Sequence, residues 1–451
     1  MFQKLINACV KLVQRYLPEP FIFAIILTLV AFCVAIPICD QSVVEAVENW
    51  GDGVWSLLAF SMQMALVLVC GSTLAAAPAV KKVVSKLASA PKTPAGAIAF
   101  VSAISSVACW LNWGFGLIVG AILAKEVARK LQGVDYRLLI ASAYSGFVVW
   151  HSGISGSVPL SMATAGDALV KATNGIVTEP VALNATIFSI YNIGIALAVI
   201  VALVIVNALM HPKGDAVLCV DRSLLCEEGC DEKVVAITPA DKMERSPVLT
   251  CIISILGLAY LVIKLFVRGG GLDLNSVIML FLFIGLLAHK TPICYVNAFT
   301  KAATGAAGIL LQFPFYAGIM GIITGTGASG VSLAGEISDA FISISNETTY
   351  PLLTFLSAAI VNVFVPSGGG QWAVQAPIMF PAGAQLGVDP AITGMAIAWG
   401  DAWTNLIQPF WAIPALAIAK LNAKDIMGFC LINLIVTGVI ICAGFLIWVI
   451  W

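Results

Sequence analysis

Two ionisable side chains, His151 and Asp401, lie within long apolar segments of the sequence. A charge inside an apolar segment is costly, so such residues usually serve a function. Histidine titrates near neutral pH, and a desolvated aspartate can retain a proton, so each is a candidate to bind a coupling cation, either H+ or Na+. A neutral, hydrogen-bonded histidine and an aspartate that only accepts hydrogen bonds are equally consistent with the sequence.

Neutral polar residues and glycines cluster in four short segments that interrupt apolar runs. Two segments are glycine-rich, at 112–116 and 366–370, and two combine polar residues with proline, at 151–159 and 404–409. An interruption frees backbone groups from helical pairing, and freed N–H groups suit a carboxylate whereas freed carbonyls suit a cation. The candidate substrate-binding residues in or beside these segments are Asn112, Trp113, Gly114, Gly116, Ser155, Ser157, Ser367, Gly368, Gly369, Gly370, Trp372, Thr404, Asn405 and Gln408.

None of the four segments contains Lys or Arg. A di- or tricarboxylate would be expected to need a cationic side chain, so this composition favours a ligand with a single negative charge. Nearby aromatic residues could enclose a short apolar tail, although such residues also commonly act as packing or as interface anchors. These aromatics are Trp113, Phe115, Trp372, Trp403, Phe410 and Trp411.

The elements that position these segments are related by an internal repeat. Under a gapless shift of 254 residues, glycines of the first half fall on glycines of the second, where fewer than about one such match is expected by chance. The shift pairs His151 with Asn405 and Asp401 with Phe147, so the two ionisable residues are not equivalent. The matched pairs are Gly51 with Gly305, Gly71 with Gly325, Gly114 with Gly368, Gly116 with Gly370, Gly133 with Gly387 and Gly146 with Gly400.

The charge distribution indicates that the two copies have opposite orientations. Basic residues flank the uncharged stretch 93–124, whereas acidic residues flank its counterpart 348–388, and Lys and Arg mark cytoplasmic ends. Because 93–124 is too long for one upright helix and too short for two full crossings, we expect re-entrant hairpins at 93–131 and 348–388 that enter from opposite faces. The fold class is therefore an all-α membrane protein with inverted repeats, two hairpins and two broken helices, as in secondary transporters.

Composition supports this assignment. The 451 residues are 60% hydrophobic and 10% charged, which is typical of integral membrane proteins that contact lipid. The net charge of -1 and the lack of a dense basic tract argue against a nucleic-acid partner. Most of the 12 cysteines stand singly in apolar runs. Cys219, Cys226 and Cys230 share the polar stretch 211–247 but lack the spacing of a zinc site, so no metal site and no cofactor are expected.

Threading the chain through a bilayer predicts about ten crossing elements in addition to the hairpins. Residues 1–17 are expected to form an interfacial helix, 18–210 the first half, 211–247 a cytoplasmic linker loop and 248–451 the second half. This path places the N-terminus in the cytoplasm and the C-terminus in the periplasm.

Several motifs closely resemble the bacterial short-chain fatty acid transporter family, and the similarity covers nearly the whole chain. That family belongs with the ion transporter superfamily, so the resemblance implies a homodimer in the inner membrane, with a transport domain that carries the hairpins and moves like an elevator against a scaffold domain. It also implies uptake of monocarboxylates such as butyrate or acetoacetate. We therefore favour a cation-coupled symporter. The motifs lie at 17–20, 50–53, 112–116, 312–318, 366–370, 408–416 and 425–428.

Two other functions stay open. A channel, or a carrier of larger anions, would use the same architecture. An intramembrane serine hydrolase would use Ser155 in the Gly-x-Ser-Gly match at 153–156 with His289 as base. A four-residue match is common by chance, and His289 adjoins Lys290 near the predicted cytoplasmic face, so the sequence favours a transporter over an enzyme.

Overall fold

The computed structural model describes residues 20–212, 217–220, 238–268, 272–328, 330–365 and 367–450. Within these ranges the chain is almost entirely helical and contains no β-strand beyond an isolated bridge between Thr326 and Ser332. The helix expected at 1–17 and much of the linker expected at 211–247 lie outside the described residues. Among the described residues, seven helical stretches are long and apolar enough to cross a membrane, namely Leu58–Ala76, Pro94–Leu111, Tyr136–Ala163, Ile190–Leu209, Pro247–Val267, Pro292–Thr324 and Ala423–Ile450.

The first half contains ten helices within the described residues. A 3-10 segment, Gly146–Ser152, continues the helix Tyr136–Ser145, and the helix is interrupted at Gly153. The helices are α1 Pro20–Ile38, α2 Val43–Val54, α3 Leu58–Ala76, α4 Pro78–Leu87, α5 Pro94–Leu111, α6 Trp113–Lys130, α7 Tyr136–Ser145, α8 Ser157–Ala163, α9 Asp167–Ala172 and α10 Ile190–Leu209.

The second half follows the same plan. A π-helical turn, Ile263–Val267, extends the helix Pro247–Val262. A 3-10 segment, Asn405–Ile407, extends the helix Pro390–Thr404. The helices are α11 Pro239–Glu244, α12 Pro247–Val262, α13 Leu274–His289, α14 Pro292–Ala303, α15 Ala307–Thr324, α16 Leu333–Ile344, α17 Tyr350–Phe364, α18 Gly368–Gln385, α19 Pro390–Thr404, α20 Pro409–Ala419 and α21 Ala423–Ile450.

The helix boundaries reproduce the 254-residue repeat. Helices α1 and α13 start 254 residues apart, as do α7 and α19. In the pairs α4 with α16, α5 with α17 and α6 with α18, the separation of the first residues differs from 254 by at most two residues. Contacts between the copies also occur in exchanged pairs: α1 packs on α15 and α13 on α3, while α6 packs on α20 and α18 on α8. The two halves therefore interlock.

Two groups of helices can be distinguished by their packing. Helices α1 to α4 and α12 to α16 form one group, and α5 to α8, α10 and α17 to α21 form the other. The groups meet mainly where α6 packs on α3 and α4 and where α18 packs on α15 and α16. Both hairpins thus belong to the second group, and α6 and α18 are the arms that lie mainly against the first group.

The first predicted hairpin is a pair of packed helices, α5 and α6, joined at Asn112. Asn112 ends α5 and caps α6, because its Oδ1 accepts a hydrogen bond from Phe115 N at 2.9 Å. Each arm has 18 residues, or about 27 Å at about 1.5 Å per residue. Helix α6 continues beyond the uncharged stretch through charged residues to Lys130.

The second predicted hairpin consists of α17 and α18, with Val365 and Ser367 at its tip. Pro366, which the sequence places in this tip, lies outside the described residues. Helices α2, α4, α14 and α16 were not predicted from the sequence. These four helices are short and carry charged residues, so hydropathy alone suggests loops there.

Candidate functional site

The buried pair of His151 and Asp401 lies at the centre of the candidate site. The His151 Nδ1 atom is 2.8 Å from Asp401 Oδ2, and both side chains are fully buried. The other ring nitrogen, Nε2, accepts a hydrogen bond from Val158 N at 3.0 Å. A backbone N–H can only donate, so Nε2 carries a lone pair and the ring proton is on Nδ1, where it is donated to Asp401. His151 is therefore neutral in this conformation.

The two broken helices bring this pair together across 250 residues of sequence. His151 lies in the 3-10 segment after α7, and Asp401 lies in the last turns of α19, which packs against that segment. The indole of Trp150 stacks on the imidazole, with 4.1 Å between ring centroids and an interplanar angle of 13°. Both ring nitrogens and one ring face are thus engaged.

The first hairpin tip is bonded directly to the first break. Trp113 N donates to Ser155 Oγ at 3.0 Å, and Ile154 N donates to Trp110 O at 2.8 Å. A β-carbon at Gly153 would lie 2.0 Å from Trp110 O, so only glycine permits this approach.

The second tip lies against the same break from another side. A β-carbon at Gly368 would lie 2.7 Å from both His151 Cε1 and Trp150 Cη2. Gly369 packs against Phe313 of α15, and Ser367 caps α18 by accepting from Gly370 N at 3.4 Å. The second tip therefore contacts the broken helix of one repeat and the facing helix of the other group at once.

Side-chain hydrogen bonds connect the second break to the end of α17. Gln408 Nε2 donates to Asn362 O and Val363 O, both at 3.0 Å. Asn362 Nδ2 donates to Asp401 O and Thr404 Oγ1 at 2.9 Å, and to Asn405 Oδ1 at 3.0 Å. This network joins the second hairpin to Asp401, which in turn holds His151.

Three functional candidates were missed by the sequence interpretation. Asn362 holds the second break, and Tyr144 donates its hydroxyl to Gln408 O at 3.1 Å. Asn192 donates to Ser152 O at 3.0 Å, where the first break begins, and accepts from Trp399 Nε1. All three are buried polar residues inside apolar runs, and that pattern is the signal that could have identified them.

Some predicted site residues make contacts inside the helix packing. Trp372 stacks edge-on against Phe380 with 5.4 Å between centroids, and a β-carbon at Gly116 would lie 2.4 Å from the backbone of Cys109. A β-carbon at Gly114 would lie 3.0 Å from Leu68 O on α3. Ser157 is buried at the start of α8. These four residues contribute to helix packing in this conformation.

Several buried polar atoms of the candidate site have no hydrogen-bond partner among the described residues. They include the amide nitrogen of Asn112, the indole nitrogens of Trp113 and Trp150 and the Oδ1 atom of Asn362, whereas the side chains of Asn405 and Asp401 interact with each other. Amide donors can bind a carboxylate, and a carboxylate oxygen can bind a proton or a cation. No cluster of three or more potential metal-ligating His, Cys, Asp or Glu side chains occurs in the part of the chain that the structure describes.

A separate surface cavity of about 570 Å³ opens between α2, α9 and α15. Asn49, Lys171 and Thr324 contribute to its lining, and it includes none of the residues of the buried cluster. The cavity is open to the surface, whereas the polar and titratable groups around His151 and Asp401 are enclosed. The enclosed residues are therefore the stronger candidates for a binding site.

Comparison with known proteins agrees with a transporter fold. Residues 1–448 match the family model described as short chain fatty acid transporter. Proteins of Escherichia coli (strain K12) and Haemophilus influenzae (strain ATCC 51907 / DSM 11121 / KW20 / Rd), both named "Putative short-chain fatty acid transporter", are 45% and 43% identical over 436 and 440 residues. These alignments cover 96% of this chain in both cases and 97% and 96% of the relatives.

A solved structure shares the overall fold. The crystal structure of the Alcanivorax borkumensis YdaH transporter, which has an unusual topology, aligns with a TM-score of 0.62 and 16% sequence identity. The alignment covers 96% of this chain and 98% of that chain. At this identity the likeness extends to the fold alone.

Proposed function

The chain belongs to the short-chain fatty acid transporter family, and we propose that it is a cation-coupled symporter of short-chain monocarboxylates, such as butyrate or acetoacetate, in the bacterial inner membrane. The observation that carries this proposal is the convergence of both hairpin tips and both breaks on the His151–Asp401 pair. In the proposed site the substrate carboxylate binds to amide and backbone donors of the tips, and aromatic rings enclose the short tail. No enzyme cofactor is needed for this function.

The absence of Lys and Arg from the tips and breaks supports a monocarboxylate over a di- or tricarboxylate. Trp113 lies in an aromatic group with Trp150 and Trp411, at centroid distances of 5.8 and 5.3 Å, so an apolar wall stands beside the first tip. A wall of this kind suits a chain of a few methylene groups.

We further propose that transport uses an elevator-like movement. In this proposal the helix group that contains both hairpins slides along α3 and α15 of the other group, which serves as the scaffold in a homodimer. The separation of the helices into two packed groups supports the proposal, as does the equivalent placement of α6 and α18 at their boundary. The N-terminus is proposed to be cytoplasmic and the C-terminus periplasmic.

The hydrolase alternative gains no support from the geometry. Ser155 Oγ accepts from Trp113 N, and His289 bonds through Nε2 to Thr73 O at 2.8 Å. Ser155 and His289 thus bond to different backbone groups, so this conformation does not pair them as nucleophile and base.

Counterflow of labelled butyrate in proteoliposomes tests the proposed function. We expect saturable counterflow that unlabelled acetoacetate inhibits and succinate does not. Because undissociated short-chain acids diffuse through lipid, protein-free liposomes supply the baseline. Asn112→Ala in the first tip should reduce the rate, and Gly194→Ala, at a helical position with nothing within 4 Å of a β-carbon, is the matched control. A linear, non-saturating flux would indicate a channel, and inhibition by succinate would indicate a larger-anion carrier.

A further inference from the structure

We propose that His151 supplies the positive charge of the substrate site only when it is protonated, so that one proton on Nε2 and one carboxylate bind together. This inference rests on the proposed function and adds to it the coupling ion, which is H+, and the atom that carries it. The substrate carboxylate then accepts a hydrogen bond from His151 Nε2–H at the place that Gly368 occupies in the described conformation.

The first step is that the site needs a cation that it does not permanently have. A carboxylate transferred into a buried site is strongly destabilised unless a charged or hydrogen-bonded partner compensates it. The tips and breaks contain no Lys or Arg. His151 is the side chain of these segments that can become cationic, and Gly368 of the second tip lies directly against it.

The second step is that two neighbours favour the protonated ring. Asp401 Oδ2, 2.8 Å from Nδ1, would pair with an imidazolium, and the stacked indole of Trp150 would stabilise it through a cation–π interaction. Neither contact has to move when the proton arrives, because one is made at Nδ1 and the other at the ring face, whereas the added proton lies in the ring plane at Nε2.

The third step is that two other contacts favour the neutral ring. Val158 N donates to Nε2 at 3.0 Å, and a protonated Nε2 would place two donors opposite each other. Gly368 covers the same edge of the ring, since its β-carbon would lie 3.2 Å from Nε2. Protonation therefore favours a conformation in which the Val158 amide and the second tip move away from the ring.

Proton and carboxylate reinforce each other in this arrangement. A proton without the anion leaves Nε2–H without an acceptor, and an anion without the proton meets the lone pair of Nε2. Binding of both satisfies every group, which is the thermodynamic basis of coupling. A hard cation such as Na+ prefers oxygen ligands and would leave the bond between Nε2 and Val158 unchanged.

Other titratable groups on the elements around His151 must also be considered. The 3-10 segment that carries His151 packs against α5, α6, α7, α8, α10 and α19, and the second tip belongs to α18. Helices α8 and α18 carry no titratable residue. The groups on the other elements are Cys109, Lys125, Glu126, Arg129, Lys130, Tyr136, Arg137, Tyr144, Tyr191 and Asp401, of which Asp401 bonds to the ring.

The pH dependence of the KM for butyrate counterflow tests the inference. In the pH range where His151 is mostly unprotonated, KM should rise about tenfold per pH unit, as expected for one proton per carboxylate. In His151→Gln, whose side-chain oxygen can still accept from Val158 N, KM should be high and independent of pH. In His151→Asn, which can still donate to Asp401, the same result is expected.

The outcomes separate the inference from the proposed function. If the wild type shows no saturable counterflow at any pH, the proposed function fails. If counterflow is saturable but KM does not change with pH, or if His151→Gln keeps the wild-type pH dependence, His151 does not carry the coupling proton. A requirement for Na+ at constant pH would overturn the inference in the same way.

A spectroscopic measurement covers the case in which the variants fail to fold. Trp150 stacks on His151, so protonation of the imidazole should quench its fluorescence, and the difference between wild type and Trp150→Phe isolates this signal. Butyrate should shift the midpoint of the quenching to higher pH, because the anion stabilises the imidazolium. A midpoint that does not respond to saturating butyrate would overturn the inference.

Discussion

Gly368 and His151 pack so closely that a β-carbon on the glycine would lie 2.7 Å from Cε1 of the imidazole. The two residues come from opposite repeats, one at a hairpin tip and the other in a broken helix. The same imidazole bonds to Asp401 on the other broken helix. Any movement of the second tip therefore changes the surroundings of His151 and, through it, of Asp401.

Gly368→Ala should abolish most transport without unfolding the protein. The added methyl group overlaps His151 and Trp150, and overpacking of this kind costs about 1–3 kcal/mol, enough to reduce the population of the described conformation by roughly fivefold or more. Initial butyrate counterflow and the melting temperature in detergent are the measurements. Gly194→Ala should leave both unchanged, and wild-type counterflow in Gly368→Ala would show that close contact at this tip is unimportant.

Asp401→Asn should shift the pH dependence of uptake to more acidic pH. The amide oxygen can still accept from Nδ1, but the negative charge that would pair with an imidazolium is lost, so uptake should need a higher proton concentration. Uptake rates measured between about pH 5 and 8 at one fixed butyrate concentration test this prediction. An unchanged pH profile, or one shifted to alkaline pH, would contradict the proposed role of Asp401.

Asn362→Ala should destabilise the second break. The substitution removes donors to Asp401 O, Thr404 Oγ1 and Asn405 Oδ1, and buried acceptors left without partners cost about 1–3 kcal/mol. The melting temperature should drop by a few degrees. Asn297→Ala, at an exposed position in α14, is the matched control and should have little effect. Equal melting temperatures for both variants would show that the network contributes no stability.

A thiol tether between the two helix groups should block transport, whereas a tether within one group should not. Cys residues at Leu68 and Gly114, bridged by a short bifunctional reagent, would join α3 to α6, because the Gly114 β-carbon would lie 3.4 Å from Leu68 Cα. Cys residues at Leu74 and Gly285, with a β-carbon separation of 3.7 Å, would join α3 to α13 within the proposed scaffold.

Counterflow before and after bridging is the measurement for both tethers, in a background without the exposed natural cysteines. Comparison of each variant with itself removes the effect of the substitutions. If bridging α3 to α6 leaves the rate unchanged, the two groups do not slide along this boundary.

The repeat, the hairpins and the breaks were predictable because they depend on local composition. Glycine at 114 and 368 recurs at the repeat distance, and the combination of proline with several polar residues at 151–159 and 404–409 favours an interruption of the helix. The structure has a tip or a helix interruption at each of these positions.

The pairing of His151 with Asp401 could not be predicted, because the repeat does not relate the two positions. Their contact depends on how α19 packs against the 3-10 segment, which is a tertiary property. The role of Asn362 was hidden for a similar reason: within an apolar helix, its hydrogen-bond partners are 39 to 43 residues away along the chain.

Thermal stabilisation by butyrate tests most directly whether a monocarboxylate binds where the two tips meet. A ligand of the folded state raises the melting temperature with concentration, and the account predicts a saturable rise for butyrate but not for succinate. Asn112→Ala in the first tip and Ser367→Ala in the second should each weaken the apparent affinity by roughly tenfold or more, since hydrogen bonds to a charged group contribute about 1.5–3 kcal/mol. Wild-type affinity in both variants, or an equal rise with succinate, would contradict the account.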